Sequence, residues 1–269
     1  MNDTDIYIVD THAHLDMSAF NKDRIDVLNR ARDACVKKII TIGINMESSL
    51  KAIELAKKHP EILATIGIHP HDATEAEKID TAKFTEIANH PRVVAIGEIG
   101  LDFYRDYSPR ELQLQTLKLQ LELSVKLELP VIIHCRQAES EMLKLLHDWI
   151  SLNPKTQKQS PGVIHCFNGG KDALKQYLNM GFYISLGAYI GYPKSKMQEI
   201  IQDIPDDRLV VETDCPFLPP QSHRGKRNEP AYIPFTIELL SKIRNESYEQ
   251  IAKITTENAY RLFRIKDEM

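Results

Sequence analysis

The chain has no apolar run long enough to cross a bilayer, which takes about 20 consecutive apolar residues. Its first residues, Met1-Asn2-Asp3-Thr4-Asp5, hold neither a basic stretch nor an apolar one, so no secretory leader is expected. Charge of one sign is not in excess: 34 basic residues face 38 acidic ones, a net charge of -4. That argues against a surface coated for nonspecific nucleic-acid binding, but not against a site that is positive only locally. The four cysteines (Cys35, Cys135, Cys166 and Cys215) lack paired spacing. A disulfide framework is therefore not expected, a cytoplasmic setting is, and neither a membrane nor an obligatory protein partner is indicated. Internal repeats, low-complexity tracts and domain linkers are also missing.

What the chain does have is alternation. Short apolar runs at residues 6–10, 38–43, 63–67, 93–97, 130–133, 162–164, 182–185 and 208–211 read as strands. Helical patterns lie between them at 23–37, 48–58, 81–89, 109–127, 139–152, 172–179 and 196–202. Near-continuous apolar strands separated by helices indicate a parallel sheet covered on its outer face. Eight such units in a chain of 269 residues fit a closed (β/α)8 TIM barrel, an α/β fold of about 250 residues. Residues 1–269 are read as one barrel domain.

Leucines 112, 114, 117, 119, 121 and 123 nearly alternate, a strand-like pattern. Ser108-Pro109-Arg110-Glu111 outweighs it, with a Ser cap, Pro at the first helical position and Glu at the third, and predicts a long helix. Ser247-Tyr248-Glu249-Gln250 is a second capping box that opens a C-terminal helix. Long connections at 102–105, 187–193 and 216–234 leave the C-terminal ends of strands, where barrel enzymes place substrate loops. Residues 153–161 read as a plain connector.

Several of the apolar runs end in metal-type ligands. His12-Ala13-His14 follows the first strand, and residues two apart on a strand face the same way. Val93-Val94-Ala95-Ile96-Gly97 ends in Glu98. Val131-Ile132-Ile133 ends in His134, and Val163-Ile164 ends in His165. Leu209-Val210-Val211 runs into Glu212-Thr213-Asp214. A lone H-x-H is weak evidence, but this chemistry recurs at one edge. Four His, one Glu and one Asp exceed a tetrahedral zinc and suit two divalent ions with a bridging carboxylate. Glu98 is the natural bridge, because a carboxylate has two oxygens and an imidazole one free nitrogen. His12, His14 and Asp214 are assigned to one ion, His134 and His165 to the other. Two ions about 3.5–4 Å apart can hold a hydroxide between them, and Asp214 can take its proton and later protonate the leaving group. Cys135, Cys166 and Cys215 each follow a candidate ligand by one position, so their thiols should face the helical layer.

These motifs resemble the TatD family of metal-dependent deoxyribonucleases, in the amidohydrolase superfamily. The resemblance runs through Asp10-Thr11-His12-Ala13-His14, Gly67-Ile68-His69-Pro70-His71-Asp72 and Gly97-Glu98-Ile99-Gly100-Leu101-Asp102-Phe103-Tyr104. It continues through His134-Cys135-Arg136, His165-Cys166-Phe167, Glu212-Thr213-Asp214 and Arg224-Gly225-Lys226-Arg227-Asn228-Glu229-Pro230. It implies a TIM barrel, a divalent-metal centre of Zn, Mg or Mn, and phosphodiester hydrolysis on DNA, described as 3′-to-5′ trimming of single strands. The ligand positions it implies are the six named above. Gln137 stands where relatives often carry an acid and Asn168 where many carry Ser; both bear on substrate preference more than on metal binding.

Arg136, two after His134, could grip a phosphate bidentately. Arg224, Lys226 and Arg227 follow the last strand and could track a nucleic-acid backbone. His69 and His71 could donate to phosphate, although Pro70 between them removes the same-face argument. Tyr104 and Phe103 could stack bases or pack in the core. Three other functions compete with the nuclease. One is a small-molecule amidohydrolase or lactonase on the same metals, a class that often bridges its ions with a carbamylated Lys. Another is ester hydrolysis on D-aminoacyl-tRNA. The third is a metal-stabilised binding protein without turnover.

Overall fold

The computed structural model describes residues 7–78, 81–105 and 107–266. Met1–Asp5 and Ile6, the expected start of the first strand, lie outside the described residues. Eight strands form one sheet in chain order: β1 (Ile8–Ala13), β2 (Val36–Thr41), β3 (Ile62–Ile66), β4 (Val93–Asp102), β5 (Val131–Arg136), β6 (Gly162–Ile164), β7 (Tyr183–Leu186) and β8 (Leu209–Val211). Every adjacent pair is parallel. The sheet closes where β1 meets the chain just beyond β8, through a parallel bridge between Ala13 and Cys215. This is the (β/α)8 barrel that strand–helix alternation predicts.

Nine helices occur among the described residues: α1 (Arg24–Asp33), α2 (Met46–Lys58), α3 (Thr81–Ala88), α4 (Arg110–Leu127), α5 (Glu139–Leu152), α6 (Pro154–Lys158), α7 (Lys171–Asn179), α8 (Ile233–Arg244) and α9 (Tyr248–Phe263). Three sequence expectations change. Residues 196–202 form two 3-10 turns and no α-helix, the connector at 153–161 contains α6, and α8 was not anticipated. Pro154 at the first position of α6, and Pro234 early in α8, are start signals that were read as loop. At α4 the N-cap is Pro109 itself, not Ser108. The Ser108 hydroxyl instead donates to the His71 carbonyl at 2.8 Å. Ser247 does cap α9, accepting from the Gln250 N–H at 3.1 Å. No helix among the described residues is long and apolar enough to cross a membrane.

The near-alternating leucines of α4 have a physical cause. Leu117 and Leu121 pack into the core, and the buried polar residues between the apolar ones include two glutamines with defined partners. Gln113 accepts from the Asp102 N–H at 2.9 Å and donates to the Asp102 carbonyl at 3.1 Å. Gln120 does the same for Ile68, at 2.7 and 3.1 Å. Each amide copies the pairing of a strand edge, so α4 fixes the backbone at the ends of β3 and β4.

Every strand contributes to one apolar cluster, through Val9, Ile40, Leu63, Val94 and Ala95, Ile132, Val163, Tyr183 and Val210. Ala259, Leu262 and Phe263 of α9 join this cluster. The Asn258 side chain donates to the Leu209 carbonyl at 2.7 Å, and Thr256 to the Tyr7 carbonyl at 2.6 Å. These bonds set α9 across the N-terminal mouth, so polar chemistry has room only at the opposite rim.

Candidate metal centre

The interior layer dictates which side chains enter the site. Side chains two apart on a strand share a face. Two residues on from Ile132 comes His134, from Val163 comes His165, from Tyr183 comes Ser185, and from Val210 comes Glu212. On β1 the pairing register slips between Asp10 and Ala13, and on β4 between Ile96 and Ile99. These slips turn His12 and Glu98 into the same basin. Gly67 makes room for Glu98: a Cβ there would meet the Gly97 carbonyl carbon at 2.7 Å and the Glu98 nitrogen at 2.9 Å. Gly100, at φ 154°, lets β4 lie against β5, where a Cβ would strike the His134 carbonyl oxygen at 1.9 Å.

All six expected ligands meet at the C-terminal rim. Nε2 of His12 and Nε2 of His14 are 3.3 Å apart. Glu98 Oε2 lies 3.4 and 3.9 Å from these nitrogens, and Asp214 Oδ1 lies 3.7 and 3.4 Å from them. The other oxygen of Glu98, Oε1, is 2.8 Å from His134 Nδ1, 3.5 Å from His69 Nε2 and 3.6 Å from His165 Nε2. Glu98 thus divides its two oxygens between two groups of histidines. Asp214 is pinned to β1 by backbone bonds: its N–H donates to the His12 carbonyl at 2.9 Å, and the His14 N–H donates to the Cys215 carbonyl at 2.8 Å.

The donor set fits divalent ions. Donors about 2.1 Å from a tetrahedral ion lie about 3.4 Å from one another, and the separations around His12, His14, Glu98 and Asp214 run from 3.3 to 3.9 Å. Imidazole nitrogens and carboxylate oxygens that converge at this spacing are acceptors without enough donors between them. Three side-chain groups are arranged to hold an ion: His12 with His14 and Asp214, His69 with Glu98 and His134, and His12 with His165 and Glu212. The first is the grouping expected from sequence. The second brings in His69, read from sequence as a phosphate contact. His165 sits between the two sides, stacked on His12 with ring centroids 3.7 Å apart.

The electrostatics agree with a cation site. Burial opposes the charge on Glu98, but the surrounding histidines, His69 and His165 foremost, hold it well below the usual carboxylate range. Burial likewise opposes Asp214, and the His14 contact with the charges of His165 and His12 keeps it ionised. Burial lowers His69 to about 4 and also lowers His12. His165 goes the other way: against burial, the charges of Glu212 and Glu98 lift it to about 10.

Residues beyond the ligands hold this arrangement. Glu212 Oε1 is 3.0 Å from His165 Nδ1 and accepts from the Cys166 N–H at 2.8 Å, while Oε2 accepts from Ser185 Oγ at 2.5 Å. Asp102 Oδ2 lies 3.1 Å from His134 Nε2 and 2.9 Å from His71 Nε2. Carboxylates behind ligand imidazoles fix ring orientation and tautomer. Asp10 accepts from the Thr213 hydroxyl at 2.6 Å and from the Thr213 N–H at 3.0 Å. Sequence reading gave none of these three acids a role. For Glu212 the signal was available, since it lies two positions after the inward Val210.

The remaining candidates separate. Arg136 is exposed beside the rim, its guanidinium 4.0 Å from the centroid of the Tyr104 ring. Arg224 and Lys226 are on the loop after β8. Arg227 is not available to track a backbone, because it forks onto Asp23 at 2.8 and 2.7 Å. Phe103 packs against the core under Arg110, whereas Tyr104 is exposed. Cys135 and Cys166 pack against the outer core and Cys215 is buried within it, and no thiol joins a ligand group among the described residues.

A closed barrel with this histidine–carboxylate basin at its C-terminal rim defines a metal-dependent hydrolase of the amidohydrolase type. The model of the TatD related DNase family matches residues 9–264, and the chain belongs to that family. It is 38% identical over 259 residues to an uncharacterized metal-dependent hydrolase, YabD, of Bacillus subtilis, covering 96% of this chain and 99% of that protein. It is 34% identical over 262 residues to the 3′-5′ ssDNA/RNA exonuclease TatD of Salmonella typhimurium, covering 95% of this chain and 98% of that one. Among solved structures, the TatD homolog YjjV of Escherichia coli superposes with a TM-score of 0.86 at 30% identity, covering 96% of this chain and 98% of that one.

Proposed function

We propose that the chain is a two-metal nuclease that trims single-stranded DNA from the 3′ end. The observation that carries this reading is the division of Glu98 between two histidine groups, with Asp214 3.4 Å from His14 on one side. Relatives of similar length that are named as 3′-5′ exonucleases support the choice of substrate. His12, His14 and Asp214 would hold one divalent ion and His134 the other, with His69 and His165 beside it and Glu98 shared. Two such ions, whether Zn, Mg or Mn, neutralise charge on phosphoryl oxygens and acidify a water.

The chain's own residues do the rest. Asp214 Oδ1 faces the histidines, which leaves Oδ2 to take the attacking water's proton and return it to the departing oxygen. In this reading Arg136 forks onto a phosphate, and Arg224 and Lys226 follow the backbone. The test combines elemental analysis with digestion of a 5′-labelled single strand, run beside a lactone and a D-aminoacyl-tRNA. Two equivalents of metal and a ladder of one-nucleotide steps are expected, lost in Asp214→Ala. Turnover of the lactone or the tRNA ester alone, or trimming that survives Asp214→Ala, overturns the proposal.

A further inference from the structure

Among the described residues, three aromatic side chains are exposed: Tyr104 at 51%, Tyr107 at 63% and Phe217 at 48%. The other described Phe, Tyr and Trp side chains are buried or partly buried. All three exposed rings border the metal centre. Tyr107 meets the His71 ring edge-on, with centroids 4.8 Å apart, and His71 in turn is 4.3 Å from His69. Phe217 meets the His14 ring edge-on at 5.9 Å. Tyr104 and Tyr107 follow β4, while Phe217 follows β8. In an eight-stranded closed sheet those positions are half a turn apart, so the rings flank the centre from opposite sides.

The rings are held in register with the ligands. Asp102 Oδ1 accepts from the N–H groups of Tyr104 and Arg105 at 3.0 and 2.9 Å, while its other oxygen faces His134. The Phe217 N–H donates to the Asp214 carbonyl at 2.9 Å, and its own carbonyl accepts from the Asn228 amide at 2.7 Å. The Arg136 guanidinium sits over the Tyr104 ring, and no carboxylate among the described residues pairs with it. A cation held over an exposed ring, beside a centre for anionic esters, suits a base and its phosphate together.

We infer that these rings are two base-stacking platforms, Tyr104 with Tyr107 on one side and Phe217 on the other. They would grip the two bases that flank the cleaved phosphate, so the strand must be unpaired and unstacked at its end. This rests on the nuclease reading and adds to it a requirement for bases, where metal chemistry alone needs only a phosphodiester.

The test measures binding of the intact protein to two fluorescein-labelled phosphorothioate decamers, by anisotropy. One is oligothymidylate; the other has abasic spacers at its last two positions. The wild-type protein should prefer the first by at least about fivefold, the low end for one base–aromatic stack. That ratio should fall toward one both in Phe217→Leu and in the Tyr104→Leu, Tyr107→Leu double variant. Because each ratio is taken within one protein, a loss of folded fraction cancels. Equal binding of the two decamers by the wild type, or an unchanged ratio in both variants, overturns the inference. A preserved preference without nucleotide release would sink the nuclease reading and leave the platforms standing. Release with a flat ratio would do the reverse.

Discussion

Glu212→Ala tests whether the acid behind His165 is part of the machinery. The substitution strands the part-buried Cys166 N–H, which now donates to Oε1 at 2.8 Å. Ser185 can turn toward Thr11 Oγ1, 3.4 Å away, and recover part of its loss. His165 has no such alternative for Nδ1, 3.0 Å from the carboxylate. An unsatisfied buried group costs about 1–3 kcal/mol, so the total comes to about 2–5 kcal/mol, or roughly 4–10 °C in Tm for a chain of this size. Metal affinity should fall about 10- to 100-fold, as when other acids behind metal-bound histidines are removed. In the metal-free protein the effect depends on pH. Glu212 and Glu98 raise His165 to about 10 from an ordinary 6.5. A raised histidine contributes stability that is complete below its unfolded value and is lost as pH climbs through its folded one. The gap between wild type and variant should therefore narrow from pH 7 to pH 10. Thermal unfolding of metal-free protein and calorimetric metal titration read both effects. A variant that melts within 2 °C of wild type and binds metal equally well would refute the reasoning, in units set by the ~2 °C per kcal/mol scale.

Other outcomes follow from the same geometry. Asp214→Asn should cut turnover by about 10²–10⁴, the usual worth of general acid–base catalysis, in a single-turnover assay at saturating metal; a tenfold loss or less would remove Asp214 from proton transfer. Chelation should lower Tm, by about 5–10 °C if the working metal concentration is about 100 times Kd, and added metal should restore it; a melting point indifferent to chelator would show that the convergent acceptors need no cation. Burial raises Cys135 to about 12 and holds Cys166 and Cys215 well above the usual thiol range, whereas Cys35 is exposed. Since the thiolate is the reactive form, Ellman's reagent at pH 8 should titrate one thiol in the native protein and four after denaturation. Arg227→Ala should leave oligonucleotide affinity within about twofold and cost about 1 kcal/mol or less, because its partner is Asp23. Arg224→Ala and Lys226→Ala should each weaken binding and lower its salt dependence by about one counterion.

The barrel was legible because period and punctuation agreed along most of the chain. Apolar strands and amphipathic helices alternate, and the closed parallel sheet is the economical way to bury both. What sequence reading missed was local. Residues 196–202 have helical spacing but fold as 3-10 turns, and α8 was hidden by the prolines that open it. Of the six expected ligands, His134 and His165 follow the alternation of β5 and β6 from Ile132 and Val163, whereas His12 and Glu98 reach the basin through the register slips of β1 and β4. His69 lay outside the runs read as strands: it follows β3 across Gly67, where Gln120 holds the Ile68 backbone and Glu98 Oε1 lies 3.5 Å from the His69 Nε2.

The acids behind the ligands show why a metal centre is only half written in strand periodicity. Alternation predicts which residues point inward but says nothing about which pairs of them touch. Asp102 is reached by β4 extending to residue 102, five positions beyond the run read from sequence, and by pairing with Arg136 on β5. That extension depends on the register slip at Glu98 and on Gln113 of α4 meeting the Asp102 backbone. One carboxylate then holds His71, His134 and the Tyr104 loop at once. The residue that orients a ligand thus also aims the aromatic platform beside it, and both would move if α4 lost Gln113.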